Sequence, residues 1–236
     1  MDLNICNCGH CQHVPCAKNV PVFSALNDEE LGQIVSLIVR KQFSKGDIIP
    51  MESSLAKCLI IISSGRIKTF RYNHDGKEQI LYIFSEGDFL GEMNILSNIE
   101  SMYNAEALED THICMIRKND FQKLLLKFPG IGLKIMEELC SRLQKMQNMV
   151  HNMSSKDVEV RVNMVLVEFS EKYGKRDTTG ITIELPLSRE GIANYIGVTR
   201  ETVSRKLSHL QEVGIIELVG NKKIHIIDEE ALKRYI

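Results

Sequence analysis

Residues 185–226 read LPLSREGIANYIGVTRETVSRKLSHLQEVGIIELVGNKKIHI, and no other stretch constrains the fold as tightly. Two segments of helical apolar period, REGIANYI and RETVSRKLSHLQEV, flank Gly197. Each follows a hydroxyl residue suited to an N-cap, Ser188 and Thr199. Gly214 ends the second segment, and two strand-like runs come after it, GIIELVG and KKIHIID. Helix, glycine turn, helix and two strands spell a winged helix-turn-helix. In that unit the N-terminal end of the second helix enters the DNA major groove. Helical spacing turns Val203, Leu207 and Leu210 inward and sets Arg200, Glu201, Ser204 and Arg205 along the first two turns outside. An arginine there can donate twice to N7 and O6 of guanine, and a glutamate can accept from the cytosine amino group. Ser188, Arg189, Thr199, Thr202 and Lys206 complete the predicted DNA-binding set.

The charge balance makes any such attraction local. The whole chain carries a net charge of −2. Residues 156–236 hold 13 Lys/Arg and 13 Asp/Glu, so this part is neutral. The second helical segment alone sets Arg200, Arg205 and Lys206 against Glu201. A basic reader on a neutral body is what that distribution predicts.

Upstream the period changes. At 236 residues and 44% hydrophobic content the chain can build two domains with real cores. Residues 26–40 read as a helix with Asn27 as its cap and Asp28, Glu29 and Glu30 in its first turn. Between 43 and 117, short apolar or alternating runs are punctuated by Gly46, Gly65, Gly76 and Gly87, which predicts antiparallel strands in a barrel or sandwich. NHDG at 73–76 reads as a hairpin turn. Then Met136, Leu139, Leu143, Met146, Val150 and Met153 recur in alternating steps of three and four, the seam of a two-stranded coiled coil, so a homodimer is expected. Ser154 should cap a further helix ending at Gly174, with residues 175–182 as a polar turn. The predicted domains are a cysteine-rich arm at 1–20, a barrel at 21–128, a dimerisation helix at 129–153 and a DNA-binding domain at 154–236. No apolar run approaches the roughly 20 residues of a membrane span. The first residues lack a secretory apolar segment, so a cytoplasmic protein with no membrane partner is expected.

Four of the seven cysteines, Cys6, Cys8, Cys11 and Cys16, fall within the first sixteen residues, together with His10 and His13. In a compartment that keeps thiols reduced, such crowding favours a metal or redox role. Thiolates suit an iron–sulfur cluster or zinc, and they can also form a reversible disulfide. Cys58 and Cys140, in apolar runs, read as small buried hydrophobes. An oxygenase built on the barrel would need a His and carboxylate constellation on its strands. Only His74 and His112 lie there, and His74 falls in a turn, so no enzyme is expected.

LSREGIANYIGVTRETVSRKLSHLQEVGII closely resembles the DNA-binding segment of the CRP/FNR family of bacterial transcription regulators. KGDII, SSGRIKTF, EGDFLGE and AEALEDTHICMIRKNDF resemble its sensory barrel, and the long helix its dimerisation helix. The resemblance implies an α+β protein: an N-terminal antiparallel β-barrel (a cyclic-nucleotide-binding-like jelly roll), a long dimerisation helix and a C-terminal winged helix-turn-helix. It also implies a homodimer on palindromic promoter DNA, in contact with RNA polymerase. TRETVSR is similar to helices that read a TGTGA-like half-site through Arg200, Glu201 and Arg205, while Ser204 is what FNR-type proteins carry on a TTGA-like half-site.

The cyclic-nucleotide branch holds ribose through a Gly-Glu pair, here Gly91 and Glu92, and phosphate through an Arg-Ser pair about ten residues on. Here those positions read Ser101, Met102, Tyr103 and Asn104. Residues 78–116 contain no Lys or Arg but hold Glu78, Glu86, Asp88, Glu92, Glu100, Glu106, Glu109 and Asp110, a poor setting for a phosphate. Bound cAMP is therefore not expected, and Gly91-Glu92 reads as a structural turn. Cys8-x2-Cys11-x4-Cys16 resembles the N-terminal cysteines of FNR-type oxygen sensors, and Cys114 falls where their fourth [4Fe–4S] ligand lies. Cys6 is an alternative ligand. Zinc, a thiol–disulfide pair or an unidentified small effector in the barrel are the other readings of the signal.

Overall fold

A computed structural model describes residues 20–24, 26–51, 57–97, 99, 102–153 and 158–234. It divides into two units, one holding the described residues up to 71 together with 81–143, the other holding 72–80 with 144 onwards. Ser154 lies outside the described residues, as do Cys6, Cys8, Cys11 and Cys16.

In the first unit a single turn of 3₁₀ helix, Pro21–Phe23, leads into helix α1 (Asp28–Val35). Asn27 and Glu30 form a reciprocal capping box there. The helix stops short of the expected residue 40. Ser36 turns its hydroxyl back to the Gln33 carbonyl, and Val39–Phe43 leaves as strand β1, paired with a strand some seventy residues on. Strands β2 (Ile48–Ile49), β3 (Cys58–Ser64), β4 (Arg66–Tyr72), β5 (Glu78–Ser85) and β6 (Phe89–Leu90) come next. Between β4 and β5 the Asn73 side chain accepts from the backbone N–H groups of Asp75 and Lys77, which closes the hairpin at the NHDG turn. Helix α2 (Glu92–Ser97), strands β7 (Asn104–Ala107) and β8 (Thr111–Arg117), helix α3 (Lys118–Lys127) and helix α4 (Pro129–Met153) complete this series.

The strands form two antiparallel four-stranded sheets, ordered β1-β8-β3-β6 and β2-β7-β4-β5. Strand β3 is buried on both faces, which is why CLIII reads as an unbroken apolar run. Its Ile60 and Ile62 join Ile67, Phe84, Leu90, Ile113 and Met115 in a core among the strands. Leu59 and Ile61 point the other way, into a second core with Leu31, Ile34, Phe121, Leu124, Ile131 and Ile135 of the helices.

In the second unit α5 (Val158–Tyr173) leads to β9 (Gly174–Arg176) and β10 (Ile181–Glu184). Half of the segment expected to be a turn, Lys175, Arg176, Ile181 and Thr182, is therefore strand. Only Asp177–Gly180 turns, with the Asp177 carboxylate accepting from the N–H groups of Thr179 and Gly180. Those bonds, the Thr179 hydroxyl foremost, hold its carboxyl below the usual aspartate range. Helices α6 (Arg189–Ile196) and α7 (Arg200–Glu212), strands β11 (Ile216–Val219) and β12 (Lys223–Ile226) and helix α8 (Glu229–Arg234) end the unit. The sheet order is β11-β12-β10-β9.

Candidate DNA interface and sensory site

The reader is built by local chemistry. Ser188 Oγ accepts from the Gly191 N–H at 3.1 Å and starts α6. Thr199 Oγ1 accepts from the Thr202 N–H at 3.3 Å and starts α7. Between them Gly197 has φ +70°, a left-handed conformation that glycine adopts without steric penalty. Val203, Leu207 and Leu210 are buried beneath α7, while Thr199, Arg200, Glu201 and Arg205 are exposed and Thr202 and Ser204 half-buried. Hydrogen bonds from its own backbone N–H and from the Thr199 hydroxyl keep the Glu201 carboxyl below the usual glutamate range. It is therefore an acceptor at neutral pH.

One of the predicted contacts is buried. Lys206 is only 5% exposed, on the buried side of α7 with Val203, Leu207 and Leu210. A lysine stem can lie along apolar surface, and its position one step from Arg205 hides this from charge counting. Arg189 is half-buried, while Ser188 is exposed. Conversely, Lys222 and Lys223 stand exposed where β11 turns into β12, available to phosphates, although neither belongs to the set expected from the sequence.

On α4 the exposed apolar stripe is Leu133 (59%), Met136 (54%), Leu143 (56%) and Met146 (63%), with Cys140 also exposed. Leu139, expected in the seam, is half-buried and packs against the helix-side core of its own barrel, and Cys140, expected to be buried, is exposed. Steps of three and four from Leu133 reach Met136, Cys140 and Leu143, an exposed row on this helix that differs from the predicted seam at Leu139. Val150 and Met153 belong to the same helix, but their side chains lie outside the described residues.

The opposite side of α4 is fastened to the barrel by Arg142, which is 8% exposed. Its guanidinium donates to the Phe89 carbonyl at 2.8 Å and to Glu138 at 3.0 Å, and meets Glu92 at 3.4 Å. It also lies over the rings of Phe89, Phe84 and Tyr82. Burial pushes the Glu92 carboxyl above its ordinary value, and Arg142 pulls it partly back. Gly91, with φ +93°, could not carry a side chain: a Cβ would stand 2.4 Å from the Cys58 carbonyl oxygen. The acidic stretch is not short of cations once folded. Arg66 reaches Glu109, Lys68 reaches Glu106 and Arg142 reaches Glu92, all from outside residues 78–116. Counting charge within one window misses them.

Cys114 sits on β8, between Arg40 of β1 and Ile61 of β3. It is half-buried and packs on the helix-side core, the same core that takes Val20, Val22 and Phe23. Those residues begin four positions after Cys16. A cleft of about 250 Å³ lies beside them, walled by Pro21, Val22, Asp88, Phe89 and by Lys134, Glu137 and Glu138 of α4. The chain emerging from the cysteine-rich arm thus runs beside both Cys114's core and the long helix. Cys58 is buried, and burial pushes its thiol up despite Arg117 and Lys41 nearby. Among the described residues no group of three or more His, Cys, Asp and Glu could hold a metal, and no helix is long and apolar enough to cross a membrane.

Comparison with known proteins agrees with this architecture. Residues 40–128 match the model of the cyclic nucleotide-binding domain, and residues 160–235 that of the Crp-like helix-turn-helix domain. The chain is 31% identical over 220 residues to the probable transcriptional regulator flp of Lacticaseibacillus casei, covering 93% of this chain and 97% of the relative. It is 31% identical over 224 residues to the fumarate and nitrate reduction regulatory protein of Yersinia pestis, covering 94% and 88%. A CooA mutant from Carboxydothermus hydrogenoformans superposes with a TM-score of 0.77 at 25% identity, over 92% of this chain and 94% of that one. Reader, wing, barrel and long helix, together with these matches, place the chain in the CRP/FNR family: it is a DNA-binding transcription regulator and not an enzyme.

Proposed function

We propose that the protein acts as a homodimer on inverted-repeat promoter DNA, next to RNA polymerase, and that its N-terminal thiols set its affinity according to oxygen or redox state. The observation that carries the DNA half is the exposed row Arg200, Glu201 and Arg205 on the first two turns of a capped, well-packed helix. Two such helices related by a two-fold axis read half-sites about 34 Å apart, one DNA turn. TGTGA-like half-sites suit Arg200, Glu201 and Arg205, and a TTGA-like core suits Ser204, which the half-buried hydroxyl leaves as the choice for the experiment. Arg205→Ala is expected to cost about 1–3 kcal/mol of specific affinity and to relax preference at one guanine. Competition binding against half-sites substituted one base at a time checks it; an equal loss on every sequence would remove Arg205 from base reading.

For the signal, Cys8, Cys11, Cys16 and Cys114 would hold a [4Fe–4S] cluster, with Cys6 as an alternative. The donor set fits: soft thiolates, the fourth, Cys114, on a strand that packs on the same core as Val20, Val22 and Phe23. When bound, such a cluster supplies an oxygen-labile tie between arm and barrel. Relatives named as anaerobic regulatory proteins, in Pasteurella multocida and Haemophilus influenzae, support the reading. The barrel itself serves here as a support and not as a receptor for cAMP, because Glu92 is engaged by Arg142. Protein purified without oxygen is expected to show visible sulfur-to-iron absorption that bleaches in air as affinity for the inverted repeat falls. Cys114→Ser should lose the absorption. A colourless protein with one zinc per chain, or one whose affinity tracks only disulfide formation, would replace the cluster with those chemistries.

A further inference from the structure

Arg161 stands on α5, outside the reader and its wing, yet its Nη1 donates to the carbonyl oxygen of Ile196 at 3.1 Å. Ile196 is the last residue of α6. The final carbonyls of a helix have no partner within it, and a guanidinium suits the negative end of the helix dipole. One residue earlier, the Tyr195 hydroxyl donates to both Glu168 carboxylate oxygens, at 3.0 and 3.2 Å, and Glu168 also belongs to α5. The Tyr195 ring stacks on Phe169 of the same helix. The last turn of α6 is therefore pinned to α5 by its main chain and by its side chain.

The link from that turn to the reader helix is short. Gly197, Val198 and Thr199 are the only residues between α6 and α7. Val198 is itself tied back, its N–H bonded to the Ala193 carbonyl at 3.0 Å. A three-residue link with so little freedom passes the position of the α6 carboxyl end directly to the amino end of α7. That end carries Arg200, Glu201 and Arg205. A shift of the order of 1 Å there would misalign a two-pronged arginine–guanine contact, whereas contacts to phosphates tolerate it better.

We propose that Arg161 is a positioning residue for sequence readout: by holding the Ile196 carbonyl it sets where the first turns of α7 lie in the groove, without touching DNA. The proposal rests on the reading of α7 as the base-contacting helix. Arg161→Met keeps the stem and removes the donors. It is expected to lower the preference for the inverted repeat over random DNA about tenfold, the usual scale for losing one hydrogen bond to a charged group. Affinity for random DNA should change by less than about twofold, since phosphate contacts carry it. Arg161→Lys should recover more than half of the lost preference on a logarithmic scale, because it restores a cationic donor.

The deciding measurement is a double-mutant cycle with Arg205→Ala, read as inverted-repeat preference beside melting temperature. If Arg161 acts through α7, Arg161→Met costs about twofold or less once Arg205 is gone. A purely structural role gives the full loss in both backgrounds and overturns the proposal, as does an Arg161→Met protein that discriminates like the wild type. Should the methionine variant fail to fold, the same cycle is run with Arg161→Lys, where a smaller loss of about threefold must again vanish without Arg205. Wild-type protein with no preference for any inverted repeat would sink the DNA-reader reading and this proposal together, an outcome distinct from failure of the Arg161 variants alone.

Discussion

Replacing Leu143 with glutamate is expected to convert the proposed dimer to monomers and to remove the preference for inverted-repeat DNA. Leu143 is 56% exposed in the chain by itself and lies in line with Leu133, Met136 and Cys140 on the free side of α4. Burying a leucine is worth about 1.5–3 kcal/mol, and a two-fold seam counts each position twice. Two glutamates facing each other add repulsion and desolvation. The combined loss, at least about 3 kcal/mol, corresponds to a hundredfold or more in the dimer dissociation constant. Sedimentation measures the first effect and competition binding the second. The barrel should melt normally, because Leu143 is not part of its cores. Cys140 reports the register independently. In parallel, in-register pairing two Cys140 thiols meet at one level of the seam, so mild copper-catalysed oxidation should yield a covalent dimer that Cys140→Ser abolishes. If instead Leu139→Glu monomerises the protein while Leu143→Glu does not, the seam lies where the bare heptad count places it.

The second large effect is expected at Arg142. Arg142→Ala leaves the Glu92 carboxylate, whose side chain is only 15% exposed, without its cation. Breaking one side of a buried pair costs about 3–5 kcal/mol. The sign of its pH dependence comes from Glu92. Burial raises this carboxyl in the folded protein, so the folded state holds the proton more tightly than the unfolded chain. Its contribution to stability is therefore greatest below the unfolded glutamate pKa, about 4.3, and is lost as pH rises through the raised folded value. Removing Arg142 takes away the group that pulls the value down, so the shift grows. The Arg142→Ala protein should fall further behind the wild type at pH 7 than at pH 5, and Glu92→Gln added to it should restore much of the loss at pH 7. Thermal melts at the two pH values decide. An equal deficit at both would mean that Arg142 acts only through its packing on Tyr82, Phe84 and Phe89.

Near-neighbour effects make part of this legible in advance. Caps at Asn27, Ser188 and Thr199 need only residues three positions away, and the structure forms all three. The inward set Val203, Leu207 and Leu210 comes from helical period alone, and all three are buried. The NHDG hairpin is equally local. Failures cluster where a partner is distant in sequence. Residues 181 and 182 read as part of a polar turn in the sequence, whereas β10 takes its second set of hydrogen bonds from β12, about forty residues on.

A glycine-hinged reader with Arg200, Glu201 and Arg205 outward, a Gly-punctuated barrel and a long apolar-striped helix were all legible from residue order, because periodicity, capping and positive-φ glycines are set within a turn or two of chain. Folding was needed to fix which side of α4 stays open, that Lys206 is buried and that Glu92 is answered by Arg142. It likewise decided that Cys114 faces the core entered by Val20–Phe23 and that Arg161 reaches the end of α6. A helix cannot announce which of two adjacent faces its own barrel will cover, and a charge cannot announce its partner, since both depend on surfaces brought together from far along the chain.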